Sequence, residues 1–211
     1  MAETHVSWYT FIAMRLILIR HGLTDENLTD ILQSGQGESL NERGRQQAEL
    51  LARRLSIHKI DGIYSSDLPR AWQTAQSISR THRPLVPMVD RRLRERSVGV
   101  MGGRASGDFA EAANDDGLPH SHYRPRGGEA LTDVAERAAT WHEDALRRHY
   151  GQLVVVVTHG AWLRAYLNWL LHGNVDDRNR LYKHYNTGMT VIDLHESKPK
   201  LIMLNDISHL E

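Results

Sequence analysis

The chain has 211 residues, with 26 Lys plus Arg against 26 Asp plus Glu, so its formal net charge is zero. A neutral chain has no overall field to draw it to nucleic acid or an anionic membrane, so any anion preference must be built locally. The absence of cysteine rules out disulfides, thiolate metal sites and cysteine nucleophiles, and leaves 13 histidines as the chemical resource.

The length suits one α/β domain with a real core. Residues 1–13 carry Glu3 and His5 and lack the basic and apolar regions of a secretory signal, so they read as a flexible N-terminal extension to a domain spanning 14–211. Strand-like runs fall at 14–19, 62–65, 85–89, 153–157, 189–194 and 201–204. The run 153–157 has no polar alternation, as expected of a strand buried on both faces. After Asn41, a good N-cap, Ala48, Leu51, Ala52 and Leu55 recur at helical spacing. Pro69 suits the first position of a second helix through Ala71, Trp72, Ala75 and Ile78. Leu131, Val134, Ala135, Ala138, Trp141 and Ala145 mark a third helix, and Leu163, Tyr166, Leu167 and Leu170 a fourth. The stretch 102–128, rich in Gly, Pro, Arg and His, is the least regular. No run approaches the ~20 apolar residues that span a bilayer, so the chain reads as soluble, and its lack of cysteine suits the cytoplasm.

Strands alternating with helices predict a three-layer α/β/α sandwich with a mainly parallel sheet, whose ligands bind beyond the carboxyl ends of the strands. Arg20 and His21 follow the first strand directly, and His159 and Gly160 follow the run 153–157 in the same way. Gly22 permits a tight turn and close backbone approach. Arg20, Arg70, His21 and His159 together want a phosphoryl group, because guanidinium forks match phosphate oxygens. Arg70 sits in a first helical turn, which also favours an anion, and Asn27 can add an amide donor. A neutral imidazole is a competent phosphoryl acceptor near pH 7. Glu95, in "RLRERSVGVMGG", is the candidate acid for the leaving oxygen, or else part of a charge alternation on an exposed loop.

These residues resemble a family. "RHGLTDEN", with Thr24 and Asn27, is similar to the Arg-His-Gly signature of the histidine phosphatase, or phosphoglycerate mutase-like, superfamily. "SSDLPRAWQTA", "LRERSVGVMGG", "RGGEALTDVAERA" and "VVTHGAWLRA" resemble its later motifs in the right order. The resemblance implies that His21 becomes phosphorylated, that Arg20, Arg70 and His159 bind the phosphoryl group, and that Glu95 protonates the leaving oxygen before water hydrolyses the phosphohistidine. It implies no metal and no other cofactor, and a small-molecule phosphoester as partner rather than nucleic acid or membrane, with monomer and homodimer both open. Gln33 and Ser34 match the family's phosphate-touching loop or form a plain polar turn.

Mutases of this family carry a long insertion before the Gly-Gly-Glu helix. Here only 104–126 intervene, so hydrolysis is expected, with phosphoryl transfer between substrate oxygens as the alternative and a binding-only module as a third reading. The sequence looks especially like TIGAR-type fructose-2,6-bisphosphatases and broad-specificity bacterial phosphatases. Arg94, Arg96, Arg104, Arg124, Arg126, His120 and His122 are candidates for a rim that binds a second anion, or flexible solvated groups. The remaining histidines lack metal-ligand spacing and read as surface or packing residues.

Overall fold

The structure is a computed structural model and describes residues 12–29, 31–32, 38–175, 182–195 and 198–211. Leu16 to Ile19 are apolar without alternation, and the strand they form, β1 (Ile12–Arg20), is covered on both faces. It begins two residues before the expected start. The other strands are β2 (Gly62–Ser65), β3 (Met88–Val89), β4 (Gln152–Thr158), β5 (Met189–His195) and β6 (Lys200–Asp206), in one sheet of order β3-β2-β4-β1-β5-β6. The pairs β1/β4, β2/β4 and β2/β3 are parallel, whereas β1/β5 and β5/β6 are antiparallel. The sheet is mainly parallel, with an antiparallel side.

The helices are α1 (Glu42–Leu55), α2 (Pro69–Arg80), α3 (Ser106–Asp115), α4 (Leu131–Arg148) and α5 (Gly160–His172). Successive residues of a strand point to opposite faces. Ile17, Ile19, Val155 and Val157 accordingly pack under Leu51, Leu55, Ala75 and Ile78 of α1 and α2. Leu16, Leu18, Val154 and Val156 pack with Trp141 of α4 and with Trp162 and Tyr166 of α5. Three layers result. Asn41 caps α1 by accepting the Gly44 N–H at 2.8 Å, and Pro69 opens α2.

Two expectations need correction. The strand at 85–89 shrinks to Met88–Val89, since Pro84 and Pro87 offer no N–H to a ladder. The supposedly irregular stretch 102–128 contains α3, which buries Phe109 and Ala113 with Val98, Met101 and Tyr123 in a small separate core. Only two residues of α3 are buried, so its apolar period was too short to read in the sequence.

Candidate active site

Arg20 ends β1, Thr158 ends β4, and the two are register partners. The residues that follow therefore leave the sheet side by side. The His21 N–H donates to the Thr158 carbonyl at 3.0 Å, and the rings of His21 and His159 lie 5.1 Å apart between centroids. Both are buried. His21 Nδ1 is 2.8 Å from the Gly22 carbonyl, which can only accept, so the proton sits on Nδ1 and the lone pair on Nε2. That lone pair accepts from Arg70 Nε at 3.0 Å. A lone pair aimed at a guanidinium is a nucleophile held beside the charge that would neutralise its target.

Arg20 Nη1 donates to the His184 carbonyl at 2.8 Å. Arg20 Nε, Arg70 Nη1 and both ring nitrogens of His159 are buried and have no hydrogen-bond partner among the described residues. An unmet buried donor costs about 1–3 kcal/mol, so this concentration around His21 marks a place for a ligand rich in acceptor oxygens. Burial first, then the Arg70 and Arg20 guanidiniums, hold His21 well below the usual imidazole range, with the Gly22 carbonyl pulling the other way. Burial, then Arg70 and His21, act likewise on His159. In the free chain His159 is therefore a neutral ring, and the charge beside His21 comes from Arg20 and Arg70.

Asn27 Oδ1 accepts from the Thr24 N–H at 3.3 Å and from Asn186 Nδ2 at 3.0 Å, which leaves its own Nδ2 to donate to a ligand. Asn186 Nδ2 also donates to the His21 carbonyl at 3.0 Å. This asparagine, just before β5, is a site residue that sequence reading missed, because nothing in "HYNTGMT" marks it.

Glu95 lies at the N-terminus of α5, where free N–H groups welcome a carboxyl oxygen. Its Oε1 accepts from Ala161 N–H at 3.1 Å, Trp162 N–H at 3.3 Å and Arg96 N–H at 2.9 Å. Oε2 accepts only from Ala161 N–H, at 3.3 Å. Oε2 is thus the freer oxygen, and Gly160 separates it from Arg20: a Cβ on Gly160 would stand 3.9 Å from Oε2 and 3.7 Å from Arg20 Nε. Beside Glu95 opens a cleft of about 710 Å³, lined by Asp67, Leu68, Pro69, Arg91, Arg94, Ser97, Glu129 and Arg137.

The rim needs revision. Arg96 turns inward: Nε and Nη2 donate to the Glu129 and Tyr123 carbonyls at 2.8 and 2.6 Å, and its guanidinium covers the Phe109 ring at 4.4 Å. Arg94 makes two hydrogen bonds to Asp67, Arg124 pairs with Asp133, and His120 packs edge-on against Phe109. Arg104, Arg126 and His122 are exposed. Gln33 and Ser34 lie outside the described residues. Among the described residues no three His, Asp or Glu side chains converge as metal ligands, and no helix is long and apolar enough to cross a membrane.

The family model described as "Histidine phosphatase superfamily (branch 1)" matches residues 16–207. A metal-independent phosphoserine phosphatase of Arabidopsis thaliana is 32% identical over 209 residues, covering 92% of this chain and 82% of the relative. The fructose-2,6-bisphosphatase TIGAR of Xenopus tropicalis is 39% identical over 133 residues, which span 61% of this chain and 48% of that protein. Among solved structures, a mycobacterial glucosyl-3-phosphoglycerate phosphatase complexed with VO3 superposes with a TM-score of 0.80 at 30% identity, covering 90% of this chain and 98% of that one. The chain belongs to the histidine phosphatase superfamily. Its reaction class is that of a phosphoric monoester hydrolase acting on small phosphoesters.

Proposed function

We propose that the chain hydrolyses phosphate monoesters of small metabolites through a phosphohistidine on His21 and without a metal ion. Arg20, Arg70, neutral His159 and the Asn27 amide receive the phosphoryl oxygens. The Nε2 lone pair of His21 forms an N–P bond as the ester P–O bond breaks, and the departing oxygen takes a proton from Glu95 Oε2. A water then attacks phosphorus and loses its proton to the Glu95 carboxylate, and the N–P bond breaks to release phosphate. The observation that carries this reading is the tautomer-locked Nε2 of His21 among unpartnered buried donors on Arg20, Arg70 and His159.

Only residues 104–126 intervene where mutases of this family carry a long insertion, and the cleft beside Glu95 lies next to the proposed acid; both support hydrolysis over transfer between substrate oxygens. The cleft's volume, within the roughly 300–1,000 Å³ range of small-molecule sites, suits leaving groups up to the size of a sugar. Phosphoserine, fructose 2,6-bisphosphate and glucosyl-3-phosphoglycerate, the substrates in the relatives' names, are the first esters to try. A cysteine-free chain suits a reducing compartment, and the cytoplasm is the location proposed.

The test is phosphate release in EDTA from these esters and from an aryl phosphate, for the wild type and Glu95→Gln. Loss of a general acid costs about 10²- to 10⁴-fold, so Glu95→Gln should cripple the alkyl esters and spare the aryl ester, whose leaving group needs little protonation. Equal losses on both would overturn the acid assignment. Interconversion of phosphoglycerates without phosphate release would make the chain a mutase.

A further inference from the structure

Glu95 sits in a segment without regular structure, between a 3-10 turn ending at Leu93 and one beginning at Gly99, yet a general acid must be held to within a fraction of an ångström. Two charged side chains from or next to α4 hold it. Arg137 Nη1 donates to the carbonyls of Arg92 and Arg94, both at 2.7 Å, and Nη2 donates to the Glu95 carbonyl at 3.2 Å. Arg137 Nε and Nη2 also donate to Glu129, at 2.9 and 3.2 Å. The second carboxylate oxygen of Glu129 accepts the Ser97 N–H at 2.8 Å. One ion pair therefore grips three carbonyls up to Glu95 and one N–H just after it. Both members are largely buried, with side-chain exposures of 18% and 27%.

A segment that needed only to be tethered has tethers already. Thr158 Oγ1 donates to the Leu93 carbonyl at 2.7 Å, and Trp162 Nε1 to the Arg92 carbonyl at 2.8 Å. The clasp adds backbone contacts at Arg94, Glu95 and Ser97, and so sets where the Glu95 backbone stands while the Ala161 and Trp162 N–H groups of α5 hold its carboxylate. A guanidinium suits the task because its planar fork reaches several acceptors at once and keeps its charge. We propose that Arg137, locked by Glu129, is the positioning residue for the Glu95 acid: its guanidinium is spent on Glu129 and on the backbone at Arg92, Arg94 and Glu95, and it acts through the placement of Oε2. The inference rests on the acid role proposed above for Glu95.

The experiment is a double-mutant cycle between Arg137→Met and Glu95→Gln, read on an alkyl ester such as phosphoserine and on an aryl phosphate, with thermal melts of each variant. Arg137→Met should lower kcat on the alkyl ester by about 10²-fold, near the low end of what losing a general acid costs, and on the aryl ester by no more than about threefold. In the Glu95→Gln background the same substitution should cost almost nothing further, because residues acting as a unit are not additive. Arg137→Lys, which keeps the charge and one donor direction, should recover part of the loss. Equal losses on both esters, or full additivity in the cycle, would overturn the inference. If Arg137→Met does not fold, Glu129→Gln keeps an acceptor for Ser97, removes the lock on Arg137, and is read in the same cycle with the same two outcomes. If Glu95→Gln alone fails to distinguish the esters, the acid reading falls; if it does distinguish them and Arg137→Met does not, only the clasp falls.

Discussion

Arg70 carries two duties that a lysine cannot combine. Its Nε fixes the lone pair of His21 while the buried Nη1 stays available to an incoming oxygen. By analogy with removal of one oxyanion donor, Arg70→Ala should lower kcat by about 10²- to 10³-fold, and Arg70→Lys should fall well short of wild type because an ammonium lacks the fork. Steady-state kinetics on one ester decide this, and full rescue by lysine would contradict it. Arg20, His21, Arg70 and His159 were legible in the sequence because each stands at a strand end or a helix start, where the local pattern fixes position. Asn186, Glu129 and Arg137 were not, because their meaning lies in partners far along the chain. Arg96 misled for the same reason: a run of arginines looks solvated until the Glu129 and Tyr123 carbonyls are seen to hold one of them inside.

The loop that carries His21 is seated on α1 by two glycines. A Cβ on Gly44 would fall 2.0 Å from the Leu23 carbonyl oxygen, and one on Gly22 would fall 2.6 Å from the Gly44 carbonyl oxygen. Both neighbours are backbone, so the clash cannot be relieved by a rotamer. Gly22 was read from sequence as a point of close approach; the approach is to α1. Gly44→Ala should destabilise the fold by about 1–3 kcal/mol, as overpacking does, and should lower kcat because Leu23 and His21 shift together. Gly107→Ala, at the second position of α3, is the control: its Cβ meets nothing within 4 Å, so stability should be unchanged or slightly raised. Urea denaturation of the pair tests this, and a Gly44→Ala protein as stable and active as wild type would refute the seating. The helices α1, α2, α4 and α5 were legible because each buries a long stripe; α3 was hidden because its core is small and lies away from the sheet.

Across the whole molecule, the fold buries several histidines as neutral rings. Burial pushes His142 and His184 down to about 4 and holds His21 and His159 well below the ordinary imidazole value. An imidazole in the unfolded chain titrates near 6.5, at about that value of pH. As pH falls below it, the unfolded chain binds protons that the native chain refuses, so stability is complete above about 6.5 and declines toward the folded values, by up to about 1.4 kcal/mol per pH unit for each histidine. Chemical denaturation between pH 4.5 and 7 should show this slope, and stability constant across the window would contradict it. The same depression keeps the His21 lone pair free in mildly acidic solution, so the nucleophile itself should not limit kcat/KM until below the ordinary imidazole range.

In the reaction proposed here, His21 Nε2 takes the phosphoryl group. The most direct measurement mixes the chain in EDTA with an ester carrying radiolabelled phosphate, quenches during turnover in alkali, where an N–P bond survives, and locates the label by peptide mapping. Label is expected on the peptide containing His21, lost on acidification and absent from His21→Ala, whose phosphate release should be abolished. Phosphate release continuing in His21→Ala, or a label trapped on another side chain, would contradict it.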